Sequence, residues 1–213
     1  MIVVCDMGPL QTLILIGCDH VLPVLFNRVI TARVIIDKEM KDPATPELVR
    51  RWAANPPAWL EIKDPKHLEE IPSLGTQGKR GDGDRAAISL ALEEHADYVL
   101  MDDIKARKQV IAQSKKHVQE MEPLWTLEVL DEAAERGIIN ELAEKLAALE
   151  QKNAFFIGEK ARQVVEGMLR RDHERKQTDE QSGNVKEQAG ETQKPTPAQK
   201  PTLEHRRGPG QGM

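Results

Sequence analysis

Two short apolar runs that each end in acid constrain this chain most: IVVCD at 2–6 and DYVLMDD at 97–103. An unbroken apolar run of that length suits a strand buried on both faces, and such strands belong to parallel sheets covered by helices. Acids at the C-terminal ends of those strands would stand where open α/β sheets form their ligand crevice. The intervening sequence alternates in the same way. LQTLILIG, after Gly8 and Pro9, reads as a helix. NRVI at 27–30 reads as a short strand, and ARVIIDKEM at 32–40 as a helix that Pro43 helps to stop. PELVRRWAANPP is a helix ended by paired prolines, and AWLEI at 58–62 a strand. A Gly-rich basic loop, SLGTQGKRGDG at 73–83, precedes the amphipathic helix DRAAISLALEEH. IKARKQVIAQSKK follows the second acidic strand, and three more helical segments fill 124–171, jointed at Gly137 and at 153–158. No internal repeat interrupts this βα alternation, so the expected fold class is α/β, a central parallel sheet flanked by helices.

Composition bounds the domain. Of 213 residues 39% are hydrophobic and only 3% aromatic, so the core is expected from Leu, Ile, Val, Ala and Met. From Arg171 onward apolar residues nearly vanish, and such a segment buries too little surface to offset chain entropy. We therefore expect one domain over 1–170, with an α/β core at 1–122 and C-terminal helices at 123–170, followed by a disordered polar tail over 171–213. A tail that folds on contact with a partner is the alternative. The tail carries 8 basic and 7 acidic residues, leaving 22 against 28 in residues 1–170, so the acidity belongs to the domain. A net charge of -5 argues against a protein that coats nucleic acid non-specifically, though it leaves room for a small basic groove.

Cys5 and Cys18 show no CxxC or Cys/His spacing suited to zinc and read as buried reduced thiols. The N-terminal apolar stretches are broken by Asp6, Pro9, Gln11 and Asp19, so neither a signal peptide nor a spanning helix is expected. A reducing, cytoplasmic compartment with no membrane partner follows as the working expectation. The six histidines are scattered without ligand spacing, and Trp52, Trp59 and Trp125 sit in apolar runs as core or interface anchors.

The helices sharpen the reading of the acids. At about 100° per residue, Glu39 falls between Ile35 and the pair Ile36 and Met40, so it points inward, whereas Asp37 and Lys38 point out. The same construction sets Asp84 in line with Ile88 and Ala91, with Glu93 and Glu94 facing away. An ionised carboxylate turned toward a core is costly unless paired, hydrogen-bonded or bound to metal. Asp6, Asp84 and the pair Asp102 and Asp103 also have a plain alternative as helix caps or first-turn acids. Glu39, near a helix C-terminus, has none. The simplest joint account is that these carboxylates converge on a hard divalent cation, for which oxygen ligands are suited.

The motifs IVVCDMGPL, VIIDKEM, GDGDRAAISLALEEHADYVLMDDIKAR, WTLEVLDEAAERGIINEL and NAFFIGEKARQVVEGMLRR together resemble the PIN-domain family, in the branch of VapC-like ribonuclease toxins. The likeness covers about residues 1–170 and implies a PIN-like three-layer fold. It also implies catalytic and metal-binding roles for Asp6, Glu39, Asp84 and Asp103, with Asp102 assisting at the metal, and Mg²⁺ or Mn²⁺ as cofactor. Such proteins are mostly endoribonucleases that hydrolyse RNA phosphodiester bonds. Many are toxins neutralised by a small antitoxin protein, and many form homodimers. Lys79, Arg80, Arg85, Lys105, Arg107 and Lys108 are the cations that would position RNA phosphates, with a solvated loop and helix face as the alternative for each. The family's first motif usually runs Asp, small polar residue, Ser, Pro, whereas Met7 and Gly8 follow Asp6 here. That departure favours a second reading, a catalytically degenerate PIN domain serving as a nucleic-acid-binding or protein-interaction module. A phosphoacceptor signalling domain also gathers acids at strand ends, but its separate acceptor Asp and downstream Lys have no counterpart here.

Overall fold

The computed structural model describes residues 1–72, 82–140, 142–151 and 159–190. Five strands, β1 (Ile2–Cys5), β2 (Arg28–Ala32), β3 (Leu60–Lys63), β4 (Tyr98–Leu100) and β5 (Glu122–Leu124), form one parallel sheet in the order β3-β2-β1-β4-β5. The central strand β1 pairs Val4 with Ile30 on one side and with Val99 on the other, and its Val3, Val4 and Cys5 are fully buried. This explains the unbroken apolar run: a strand with neighbours on both edges and helices on both faces has no side for water. The chain runs from β1 outward through β2 and β3, then returns to the other side of β1 for β4 and β5. The reversal opens a crevice between the C-terminal ends of β1 and β4, the place where such sheets bind ligands.

Helices α1 (Met7–Leu15), α2 (Leu22–Leu25), α3 (Glu47–Ala54), α4 (Asp82–Glu93), α5 (Ile104–His117), α6 (Thr126–Glu135) and α7 (Leu142–Gln151) flank the sheet or extend it. α1 buries Leu10, Leu13 and Ile14, and it stops where Gly17, at φ +67°, lets the Gly17 and Cys18 amides turn back onto the carbonyls of Ile14 and Leu13. α4 packs against β1 and β2 through Ala87, Ile88, Leu90 and Ala91. Trp52 and Trp59 pack against each other and the core, and the Trp52 indole donates to Asp19 at 2.9 Å, so both are anchors. Cys5 and Cys18 are buried free thiols, as the spacing implied.

Three segments differ from expectation. The helix expected over 32–40 begins later: Ala32 still belongs to β2, and the chain then coils into a π-helical turn over Ile35–Met40. Its wider turn keeps Ile35, Ile36 and Met40 buried and Asp37 and Lys38 exposed, with Glu39 half-buried. β5 escaped the sequence reading because it is three residues long and contains Pro123, which lacks an N–H and is tolerated here on an edge strand. The polar tail expected from Arg171 is, in its first part, helical: α8 spans Glu159–Gly190. Its Glu, Lys, Arg and Gln cost little in a helix and need no core, a choice that hydrophobic patterning cannot foresee. The chain divides into two units, Met1–Asp172 and one that begins at His173. Among the described residues no single helix is long and apolar enough to cross a membrane.

Candidate active site

Asp6 is the first residue beyond β1. Its amide donates to the Leu100 carbonyl at 3.0 Å, which seats it at the point where the strand order reverses. Burial pushes its carboxyl well above the usual range, and Asp84 and Glu39 add to the rise, while the amides of Met7 and Gly8 oppose it. Met7 and Gly8 thus meet Asp6 through their backbone, a contact that the missing hydroxyl side chains do not affect.

Asp84, in the first turn of α4, is also raised, by burial and by Asp103, and a hydrogen bond to Asp6 offsets part of that rise. Two carboxyls in such contact must share a proton or a cation. Glu39 comes from the π-helical turn. Burial, then Asp84 and Asp82, push its carboxyl up to about 7, against the pull of the Gly83 amide. Its Oε1 is buried without a hydrogen-bond partner among the described residues. Gly83 is what allows this placement: a Cβ there would lie 2.5 Å from Oε1 and 2.7 Å from Oε2 of Glu39. The glycine between Asp82 and Asp84 therefore has a spatial reason, which the GDGD string at 81–84 hinted at without specifying. Asp6, Glu39 and Asp84 line a cleft of about 920 Å³ together with Asp42, Asp82 and Lys38, none of which the sequence reading singled out for the site.

The paired acids after β4 separate. Asp103 caps α5, its Oδ1 accepting from the amides of Lys105 at 2.8 Å and Ala106 at 2.9 Å, and it stands near enough to Asp84 to raise it. Asp102 turns the other way. Its two oxygens accept from the amide and hydroxyl of Thr126 at 2.9 and 2.7 Å, tying the end of β4 to the start of α6. Asp102, expected to assist at a metal, thus carries a structural role, each of its oxygens accepting one hydrogen bond from Thr126.

The expected phosphate contacts are also sorted by the fold. Lys79 and Arg80 lie outside the described residues. Arg85 donates to the carbonyls of Leu68 and Ile71 at 2.9 and 3.0 Å, and so ties the start of α4 to the chain at 68–71. Arg107 stacks 4.4 Å over the Trp125 ring and reaches Glu128 and the Pro123 carbonyl, joining α5 to the start of α6. Lys105 and Lys108 stay exposed on α5.

A divalent cation fits the cleft. The donors on Asp6, Glu39 and Asp84 are carboxylate oxygens, one of them buried with no hydrogen-bond partner among the described residues, and these carboxyls are raised first by burial and then by mutual repulsion, both of which a bound charge would offset. A separate set, the exposed His67, Glu69 and Glu70, has ligand atoms within 4.8 Å of one another, but it lies outside the crevice and includes a histidine that spacing gave no reason to choose. A family model described as PIN domain matches residues 2–172. The comparisons with curated proteins and with solved structures yielded no match. The model spans most of the chain, and the sheet order and cleft carboxylates agree with it. This chain therefore belongs to the PIN-domain family.

Proposed function

We propose that this PIN domain is a metal-dependent endoribonuclease that uses Mg²⁺ or Mn²⁺ to hydrolyse RNA phosphodiester bonds. PIN domains are in general nuclease domains that bind nucleic acid. The observation that carries the finer reading is the buried Oε1 of Glu39, without a hydrogen-bond partner among the described residues, beside the raised carboxyls of Asp6 and Asp84. Asp6, Glu39 and Asp84 would hold the cation, with the outer oxygen of Asp103 completing the set. When bound, the cation lowers the pKa of an attacking water and shields charge on the phosphodiester and leaving oxygen. The residues do the rest by position: Gly83 lets Glu39 reach the cleft, and the Asp6 amide ties the Asp6 backbone to the end of β4. Neutralisation by a small antitoxin protein covering the cleft, and assembly as a homodimer, extend the same proposal. A short reading frame beside the gene, whose product suppresses cleavage, is the test of the first.

The test of the activity is paired. Purified wild type and Asp6→Asn are compared on single-stranded and structured RNA with Mn²⁺, Mg²⁺ or chelator. Cleavage is expected only with the divalent ion and is expected to fall at least on the order of 100-fold in Asp6→Asn. Equal cleavage by both proteins would mark host contamination and sink the catalytic reading, leaving the nucleic-acid-binding or interaction module that the Met7 and Gly8 departure favours.

A further inference from the structure

We propose that Lys38 is the phosphate-positioning residue of the cleft, a point charge that takes a non-bridging oxygen of an RNA phosphate beside the carboxylates. The inference rests on the reading that RNA enters this cleft. Among the described residues that line it, Lys38 is the one cation, sharing the lining with Asp6, Glu39, Asp42, Asp82 and Asp84. The cations around it on the same stretch of chain already have acidic partners: Arg33 Nε meets Asp64 at 2.9 Å, and Lys41 Nζ meets Asp37 at 2.7 Å. Lys38 makes no hydrogen bond or ion pair with any described residue. Its charge is therefore available to a ligand without first breaking a bond to any described residue.

The backbone explains why two consecutive residues, Lys38 and Glu39, line one cleft. In an α-helix neighbours diverge by about 100°, but the wider π-helical turn over Ile35–Met40 subtends a smaller angle per residue and brings them closer in direction. Glu39 points deep, toward Gly83, and Lys38 stays at the exposed mouth. That depth ordering suits a phosphodiester, whose reacting group must reach the carboxylates while an adjoining charge is held at the rim. The alternatives are weaker on geometry. Arg85 and Arg107 have their guanidinium groups on carbonyls and on Trp125, and Lys105 and Lys108 do not line the cleft. A purely solvated Lys38 is the outcome that the test must exclude.

The experiment measures binding and turnover separately. Affinity of the full chain for a fluorescein-labelled single-stranded RNA is followed by anisotropy in chelator across a salt series. Steady-state cleavage is then followed with Mn²⁺. Lys38→Ala is expected to lower the slope of log affinity against log salt by about one and to weaken binding uniformly across RNA sequences. KM should rise severalfold with kcat changing by no more than about twofold, since positioning acts on binding. Lys38→Arg should restore most of the affinity, and Lys41→Ala, whose ammonium is already paired, should match wild type in the salt slope. Unchanged slope and KM in Lys38→Ala overturn the proposal even if wild type cleaves RNA. A lost unit of slope without cleavage by any variant keeps Lys38 and overturns the nuclease reading instead. Absence of RNA binding by wild type overturns both. Lys38 is exposed, so the variants are expected to fold, and matching thermal melts confirm it.

Discussion

Two groups of acids in this domain contain the same residue types and behave in opposite ways. In the first, Arg28 of β2 and Lys63 of β3 bracket Glu61 of β3 and Glu94 just after α4, with contacts of 2.7 Å (Arg28 to Glu61), 3.0 Å (Arg28 to Glu94), 2.8 Å (Lys63 to Glu94) and 3.3 Å (Lys63 to Glu61). The Arg28 hydrogen bonds hold Glu61 down at about 2, and Lys63 first, then Arg28, lowers Glu94. In the second, Asp6, Glu39 and Asp84 have no cationic partner among the described residues, and all three are raised. Burial and neighbours together separate the groups: burial is the first cause of the rise in Asp6, Glu39 and Asp84, with like charges adding to it, whereas hydrogen bonds from Arg28 and Lys63 outweigh burial at Glu61 and Glu94.

The largest expected effect comes from forcing the second group apart. Gly83→Ala sets a Cβ on the Glu39 carboxylate, and Mn²⁺ affinity by calorimetry should fall on the order of 10- to 100-fold, whereas Glu94→Gln should leave it unchanged. Equal affinity in Gly83→Ala and wild type would remove Glu39 from the metal set.

Next comes pH, where the two groups predict opposite slopes. Glu39 is raised in the fold, so the folded state holds its proton more tightly than the unfolded chain. Stability then falls as pH rises from the ordinary glutamate range through about 7. Glu61 is depressed, so its contribution is complete above the ordinary range and is lost as pH falls toward about 2. Metal-free protein should thus melt highest on the acid side of neutral. Saturating Mn²⁺ should lift the neutral and alkaline flank and leave the acid flank in place, and Glu39→Gln should flatten the metal-free decline. A melting midpoint that rises steadily from pH 5 to 8 without metal would contradict the assignment.

Smaller changes come from the paired group. Glu61→Gln should cost about 0.5–1 kcal/mol in urea unfolding, less at high salt, because the pair is partly exposed and screened. The smallest is Lys41→Ala, which breaks an exposed pair one helical turn from Asp37. A few tenths of a kcal/mol and unchanged Mn²⁺ affinity are expected, which would show that proximity in sequence to Glu39 is not enough.

Much of this was legible from the chain. The runs at 2–6 and 97–103 declared themselves as strands because double-sided burial leaves no polar position within them. Glu39 and Asp84 declared themselves as inward acids because helical angle follows from spacing, and Glu39 kept its direction even though its turn proved to be π-helical. β5 could not be read, since three residues with a proline carry no periodicity. Asp102 and Asp103 could not be told apart either. Adjacent residues at a strand end point to opposite sides, and only the position of Thr126 shows which of them caps α6.

By itself, then, the sequence determined the α/β class, the strand-end acids and the inward set of the helices, because burial and periodicity are local properties. The tertiary structure alone decided the partners: Gly83 under Glu39, Thr126 on Asp102, carbonyls on Arg85, Trp125 under Arg107, and no described residue on Lys38. A charge's effect depends on what lies within a few ångströms in space, and those neighbours come from segments tens of residues apart, so spacing along the chain cannot supply them.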